Sequence, residues 1–503
     1  MTKPDNKAIA EGIKRQLAEN ENNMRSALAG KPLMSGVVKI DIIGTPEARQ
    51  RYQWNDIGIS NLFADTYKNV SCFVPEAKMW YCYDGKAWKP DTGNMKVLQQ
   101  AKKLTDYMLI YAAGIESPEA KESFIKFTKK CMAKRSRDIM ISDAASVYPI
   151  SITDFDKDIY TFNCQNGTLN LKTLNFAPHN PADYLSKISN VLYTPAAKCE
   201  RWNKFIDEVM QGDKETAKFL QKALGYSLSG DSSKECFFIL NGSTSRNGKG
   251  TTIGTTIHLL GDYAKSAQPE TVAKKINQNS SAPSEDLARL KGARFVSVSE
   301  PENGLRLNVA LVKQLTGRDP VTARNLHQSS FDFFPEFKIF INTNHLPKVS
   351  DDTIFKSGRV KLIPFERHFE EAERDTNLKT FFENSGNISG IFNWFLEGYK
   401  LFCVEGLEPP PEVIKATNEY RESSDIIGSF VKDCLFKCVN NKVKTKAVYD
   451  EYCIWCEDNG YRPLNNSNFV GELRKRFEVI RHNEMGNVVK NYELIKNAPD
   501  GFC

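Results

Sequence analysis

The sequence predicts an α/β protein with an α+β N-terminal region and a C-terminal winged helix, and three groups of residues carry that prediction. "FFILNGSTSRNGKGTTIGTTIHLL", from Phe237 to Leu260, is a short apolar run that breaks at Asn241-Gly242 and resumes as a helix, the strand, loop, helix order of an α/β unit. Two further apolar runs, Phe295 to Val298 and Lys338 to Ile341, repeat the strand character downstream, and each gives way to polar residues. Near the C-terminus, "VKTKAVYDEYCIWCEDNG" and "NFVGELRKRF" read as two helices, and "EVIRHNEMGNVVKNYELI" as two strands around Gly486.

Length and composition frame these elements. The 503 residues suffice for roughly three domains, and 41% hydrophobic content is ordinary for globular cores. No apolar run approaches the roughly 18 residues of a membrane span, and "MTKPDNKAIAEG" has no signal-peptide core. A cytoplasmic protein with no membrane partner is expected. A formal net charge of +6 permits a polyanionic partner without requiring one. The twelve cysteines form no dense framework, which suits reduced thiols. Cys434, Cys438, Cys453 and Cys456 have spacings a zinc site can use, but they fall in helix-like segments beside Leu435, Tyr452 and Trp455 and are read as buried free thiols.

Along the chain, residues 1–40 read as a polar arm and 41–195 as an α+β domain. Within it, "MWYCYDGKAW" is a hairpin turning at Asp84-Gly85 whose Trp80, Tyr83 and Trp88 pack on one another rather than on bases. A Lys-rich helical stretch runs to about Arg137, and Asn166-Gly167 marks a second tight turn. Residues 196–230 form a helical collar, 231–370 the central domain, 371–411 a helical segment and linker ending at Pro409, Pro410 and Pro411, and 412–503 the winged helix. No internal repeat is present.

The loop before Lys249 resembles a phosphate-binding loop with altered spelling, because Ser243 stands where a glycine is usual and Gly250 where a hydroxyl is usual. Such a loop holds a triphosphate with backbone N–H groups and the positive end of the next helix, while one Lys reaches the outer phosphates. Gly242, Asn247 and Gly248 supply the backbone angles and Lys249 the charge, with Ser245, Gly250, Thr251 and Thr252 completing the ATP-binding set. Thr251 comes one residue late for the usual Mg²⁺ contact, so the metal leans on a downstream acid and on water. "ARFVSVSEPENG" offers Glu300 and Glu302 at the end of a strand for metal and attacking water, with Glu300 and Thr251 as metal candidates. Asn342 and Asn344 in "FKIFINTNHLP" offer a neutral amide beside the γ-phosphate. Arg359, after Ser357-Gly358, is placed to complete a neighbour's site. In the C-terminal module Arg474, Lys475, Arg476, Arg481 and Lys490 give a basic edge suited to duplex DNA.

The order of "NGKGT", "ARFVSVSEPE", "LVKQLTGRDPVTARNLH", "KIFINTNHLP" and "GRVKLIPF" resembles the superfamily 3 helicases of the poxvirus and phage or plasmid-satellite primase-helicase family. "NCQNGTLNLKTL" and "CERWNKFIDEVM" resemble that family's preceding domain, so the likeness reaches over roughly two-fifths of the chain. The resemblance implies an AAA+-like core in a homo-hexameric ring that hydrolyses ATP with Mg²⁺ at subunit interfaces and pulls single-stranded DNA through a central channel. It implies Lys249 on the β/γ-phosphates, Glu300 and Glu302 on metal and water, Asn344 as sensor, and Arg359 as a finger into the adjacent site. It also puts Lys313, Arg324, Asn325 and His327 on the DNA-facing channel elements. No acidic polymerase constellation stands out in the first 190 residues, so a helicase working with a separate primase is expected. The alternatives are an ATP-regulated, origin-binding initiator without unwinding and a P-loop small-molecule kinase.

Overall fold

A computed structural model of the chain describes residues 37–274, 284–299, 304–326 and 329–497. At the N-terminal end, an antiparallel sheet of β1 (Ser71–Val74), β2 (Met79–Tyr83) and β3 (Trp88–Pro90) lies against four helices, Asp56–Tyr67, Met95–Ala113, Pro118–Cys131 and Lys134–Ala144. The hairpin turns at Asp84-Gly85, where Gly85 has φ of 101° and Asp84 N–H donates to Ala87 O. Trp80 packs on Phe63 and Phe73, and Trp88 on Tyr83, Phe155 and Tyr184, so both indoles are buried within the fold. A second sheet, β4 (Thr161–Cys164), β5 (Gly167–Asn170) and β6 (Phe176–Ala177), turns at Asn166-Gly167.

The collar is a pair of helices, Glu200–Val209 and Lys214–Tyr226. The second packs so closely on the long helix Ser385–Glu405 that an added Cβ at Gly225 would lie 2.3 Å from Tyr399 N, and one at Gly398 would lie 2.1 Å from Gln221 O. The stretch 371–411 is therefore part of the collar core rather than a spacer. Trp202 is fully buried where the two meet, against Phe205, Phe382, Trp394 and Phe395. Trp202→Ala is expected to lower stability by about 3–5 kcal/mol, measurable by denaturant titration, because the cavity left between rigid rings cannot collapse.

The central sheet comprises β7 (Phe237–Asn241), β8 (Ala264–Ala267), β9 (Phe295–Ser299), β12 (Lys338–Thr343) and β13 (Val360–Pro364), with a short antiparallel pair, β10 (Val321–Ala323) and β11 (Phe331–Phe333), outside it. Its order is β13-β7-β12-β9-β8, with every neighbour parallel. Parallel strands are covered on both faces, which is why Phe237, Phe238, Ile239 and Leu240 are a continuous apolar run with no exposed member. Phe238 and Leu240 enter the core shared with the collar; Phe237 and Ile239 enter the opposite one.

Pro411 is the first residue of a helix, Pro411–Ser424, and not the end of a linker. Proline suits that position because its missing N–H would be unpaired there in any case. Val413 and Tyr420 are buried, and Tyr420 Oη donates to Pro347 O. The central domain thus continues to about Ser424, past the boundary at 412 expected from composition. Beyond it stand the helix Ile426–Cys434, β14 (Leu435–Lys444), the helices Thr445–Asp458 and Asn466–Arg476, β15 (Val479–His482) and β16 (Gly486–Leu494), with sheet order β14-β16-β15. Cys438 lies on β14 and not on a helix, since the helix stops at Cys434 where Leu435 turns extended and enters the core. Cys456 is buried and the other three are half-buried. Among the described residues, no group of three or more His, Cys, Asp or Glu is arranged to hold a metal, and no helix is long and apolar enough to cross a membrane.

Candidate nucleotide site

The parallel register brings the C-terminal ends of three strands to one edge of the sheet: Thr343 pairs with Asn241, and Asn342 with Ser299. β7 leaves that edge into the loop 242–248, which feeds the helix Lys249–Leu260. Gly242 lies too close to Phe365 to carry a side chain, since a Cβ there would come 2.3 Å from Phe365 O. Gly248 has φ of 85°, a left-handed angle that glycine alone adopts freely, and its missing Cβ leaves room for Val209 of the collar. Asn247 is buried and donates its amide to Thr244 O at 2.6 Å, closing the loop on itself.

Lys249 opens the helix and is only 4% exposed. Its Nζ donates to Asn344 Oδ1 at 2.6 Å and lies 3.4 Å from Gly242 O. Two residues 95 apart in sequence, both expected at one site, are thus in direct contact. Thr252 is buried and donates to Gly248 O, a bond inside its own helix, whereas Thr251 is half-exposed. Ser245 and Gly250 are exposed, and a Cβ at Gly250 would meet no atom within 4 Å. Glu300, Glu302 and His327 lie outside the described residues, although β9 ends at Ser299 on the same edge.

Residues after β13 also grip the loop, and the sequence reading missed them. His368 Nδ1 lies 3.0 Å from Ser245 O, Phe369 N–H donates to Arg246 O at 2.9 Å, and Arg246 pairs with Glu371 at 2.5 Å. The available signal was the charged run "FERHFEEAER" directly after a strand, to which no role was assigned.

Arg359 is at the other end. Its carbonyl accepts from Phe237 N–H at the start of β7, so about 15 Å of strand separates it from the loop. Its guanidinium pairs with the Glu235 carboxylate at 2.5 Å and donates to Thr316 Oγ1 at 3.1 Å. Arg294 and Lys338 do similar work beside it. Arg294, just before β9, donates to Leu228 O and Thr161 O; Lys338, the first residue of β12, donates to Ser229 O at 2.6 Å and lies 4.2 Å from the centre of the Tyr226 ring. Burial pushes the Lys338 ammonium down to about 7. Three strands that run towards the site edge are therefore tied at their starts by cations to the collar, to β4 or to the segment leading into β7.

The expected DNA contacts are scattered. Lys313 reaches Thr353 and Asp351, while Arg324 and Asn325 follow β10 at half-exposed positions, with Leu326 58% exposed beside them. In the C-terminal unit Arg474 and Arg481 are exposed, Lys475 pairs with Glu472, and Lys490 with Glu478. Arg476 is held by Asp425 through two bonds of 2.6 and 2.7 Å, which raise its pKa and tie the helix Asn466–Arg476 to the start of the helix Ile426–Cys434.

Residues 60–211 match the family model described as D5 N terminal like, and residues 422–497 match the one described as Poxvirus D5 protein-like. Both matches support the poxvirus D5-like superfamily 3 helicase/primase family. Proteins named "Putative helicase" resemble the chain: one from Acanthamoeba polyphaga mimivirus is 28% identical over 342 residues, covering 64% of the chain and 35% of the relative. Another, from Frog virus 3 (isolate Goorha), is 25% identical over 311 residues, covering 58% of the chain and 30% of the relative. The chain thus spans about a third of the length of the curated relatives it matches. Among solved structures, the apo C-terminal region of NrS-1 aligns over 87% of the chain and 100% of its own length, at 11% identity and a TM-score of 0.47.

Proposed function

We propose that this D5-like chain is an ATP-driven DNA helicase whose AAA+-like core works in a ring, most simply a homo-hexamer. The contact between Lys249 Nζ and Asn344 Oδ1 carries the reading, because it joins a phosphate-reaching cation to a neutral amide at the edge of a parallel sheet. The strand order adds support: β12, which leads to Asn344, lies between the loop strand β7 and β9, which leads to Glu300. Gly242 and Gly248 let the loop pass against Phe365 and Val209 where a Cβ would collide, and a glycine-shaped loop at a helix start suits a triphosphate held by backbone N–H groups. Mg²⁺ would be held by Glu300 and Glu302, with Thr251 on a phosphate or the metal, and would supply charge neutralisation on the phosphoryl oxygens. Lys249 orients the outer phosphates, Asn344 fixes Lys249 and offers its amide to the attacking water, and Arg359 serves the neighbouring subunit.

Arg324, Asn325 and His327 are assigned to the channel with Lys313 behind them, and single-stranded DNA is the translocated polymer. The order helix, strand, helix, helix, two strands after Ser424 supports a winged helix that binds duplex DNA through Arg474, Lys475 and Arg481. Arg476 is bound to Asp425 and acts there as a brace. A separate primase is the natural partner.

Strand displacement from forked DNA tests this reading. The full chain with ATP and Mg²⁺ is expected to separate the strands, and a chain ending at Ser424, which keeps Val413 and Tyr420 in place, is expected to keep ATP hydrolysis while binding duplex more weakly. ATP turnover with no strand separation would transfer the assignment to an origin-binding initiator. Turnover that needs a small phosphate acceptor and ignores DNA would transfer it to a kinase.

A further inference from the structure

The Lys-rich stretch of the N-terminal domain has no role in the reading above. Between residues 121 and 137 stand seven lysines and arginines against one glutamate, a charge as large as that of the whole 503-residue chain. The helix Pro118–Cys131 buries Phe124, Thr128 and Cys131, and the helix Lys134–Ala144 buries Met140, Ile141 and Ala144. That leaves Lys126, Lys129, Lys130, Lys134 and Arg135 exposed around the corner at Met132-Ala133. None of these five forms an ion pair among the described residues. Other exposed lysines do pair, as in Lys157 with Asp154, Lys204 with Glu208, Lys214 with Asp207 and Lys415 with Glu412, while Lys68, Lys78, Lys102 and Lys103 do not among the described residues, so it is the clustering of five that marks the corner.

Two features set this corner apart from an ordinary solvated face. Lys134 and Arg135 occupy the first turn of a helix, where the dipole disfavours cations, and Ala133 provides no side-chain cap. An external anion relieves both. Among the large apolar side chains, none between residues 112 and 147 is exposed. Lysine is depleted in protein interfaces and aromatic groups are enriched there, so the composition fits phosphates better than a protein surface. Single strands are usually held on several exposed rings on which bases stack, whereas the one exposed ring beside the helix Pro118–Cys131, Trp54, is already packed on Phe124 and Phe127.

We propose that Lys126, Lys129, Lys130, Lys134 and Arg135 form a sequence-independent binding surface for the phosphate backbone of duplex DNA. It is a second duplex contact, separate from the C-terminal unit, and would hold unopened DNA against the N-terminal domain. It takes its polymer from the proposed function, but duplex binding is measured without ATP, so failure to hydrolyse or unwind leaves the test intact.

The test compares two full-length variants in binding a blunt duplex and a homopolymeric single strand over a range of salt concentrations. The first carries Lys126→Ala, Lys129→Ala, Lys130→Ala and Lys134→Ala. The second carries Lys157→Ala, Lys204→Ala, Lys214→Ala and Lys415→Ala, which removes the same charge from paired positions. The first is expected to lose duplex affinity on the order of tenfold or more at about 0.1 M salt, and its slope of log K against log salt should become shallower by about three to four. The second should keep both. Unchanged duplex binding in the first variant, or an equal loss in the two, overturns the proposal; a loss confined to the single strand overturns the duplex assignment.

Discussion

Lys249→Ala is expected to reduce ATP hydrolysis by at least about 10²-fold while the chain stays folded. Losing one preorganised charge aimed at the reacting group typically costs about 10²–10³ in rate, and a phosphate lysine also helps hold the nucleotide. The structural cost is not negligible, because Lys249 is 4% exposed and Asn344 Oδ1 accepts its proton at 2.6 Å. Asn344 is exposed and its Oδ1 can take a water instead, so the cost lies in the packing lost with the buried lysine stem. Lys249→Met, which retains the buried stem and removes only the charge, separates the two effects. Both variants should lose turnover, and the Met variant should melt closer to the parent. Near-normal turnover in a folded Lys249→Met protein would remove this loop from the chemistry.

The central sheet was legible because parallel strands buried on both faces leave apolar runs, and the loop after β7 because a backbone that passes close to other atoms needs glycine at fixed places. Gly242 and Gly248 show the second point: each stands where a Cβ would collide with Phe365 O or Val209. Asn344 was legible for a related reason, since the strand before it ends at the edge where β7 also ends. The clasp of His368, Phe369 and Glu371 on the loop was not, since two of its three contacts use backbone carbonyls of the loop, which any sequence supplies. Composition misplaced the last boundary of the central domain because three prolines look like a break, while Pro411 at a helix start is structurally ordinary. Arg294 and Lys338 were unreadable in another way. A cation within a strand pattern looks like a surface residue until the fold shows that Leu228 O, Thr161 O and Ser229 O await it in the interior. Nothing local in "GARF" or "EFKIF" distinguishes the two cases.

Arg359→Ala is expected to lower hydrolysis by about 10³–10⁵, the usual loss when an arginine finger is removed, without abolishing ATP binding. The fold adds a competing explanation that must be separated from this one. The guanidinium is bound to Glu235 and Thr316 within its own subunit, with its side chain 17% exposed, at the edge of the sheet away from Lys249. A brace at that position would also fail when truncated. Glu235→Ala distinguishes the two, for it breaks the internal pair and keeps the cation: a brace is lost, whereas a finger is released. Glu235→Ala is therefore expected to keep substantial ATPase activity. Mixing then tests the geometry. A Lys249→Ala subunit retains Arg359, and an Arg359→Ala subunit retains the loop, so mixed rings contain some complete sites. Once subunit exchange has been demonstrated, ATPase activity should reappear in mixtures of the two inactive variants and reach its highest value at intermediate ratios. Exchanged rings that stay inactive at every ratio, together with a Glu235→Ala protein as inactive as Arg359→Ala, would make Arg359 an internal brace. The search for the finger would then pass to Lys356, which is exposed and paired with Asp352, and to Arg367, which pairs with Glu373 next to His368, whose ring meets the loop 242–248.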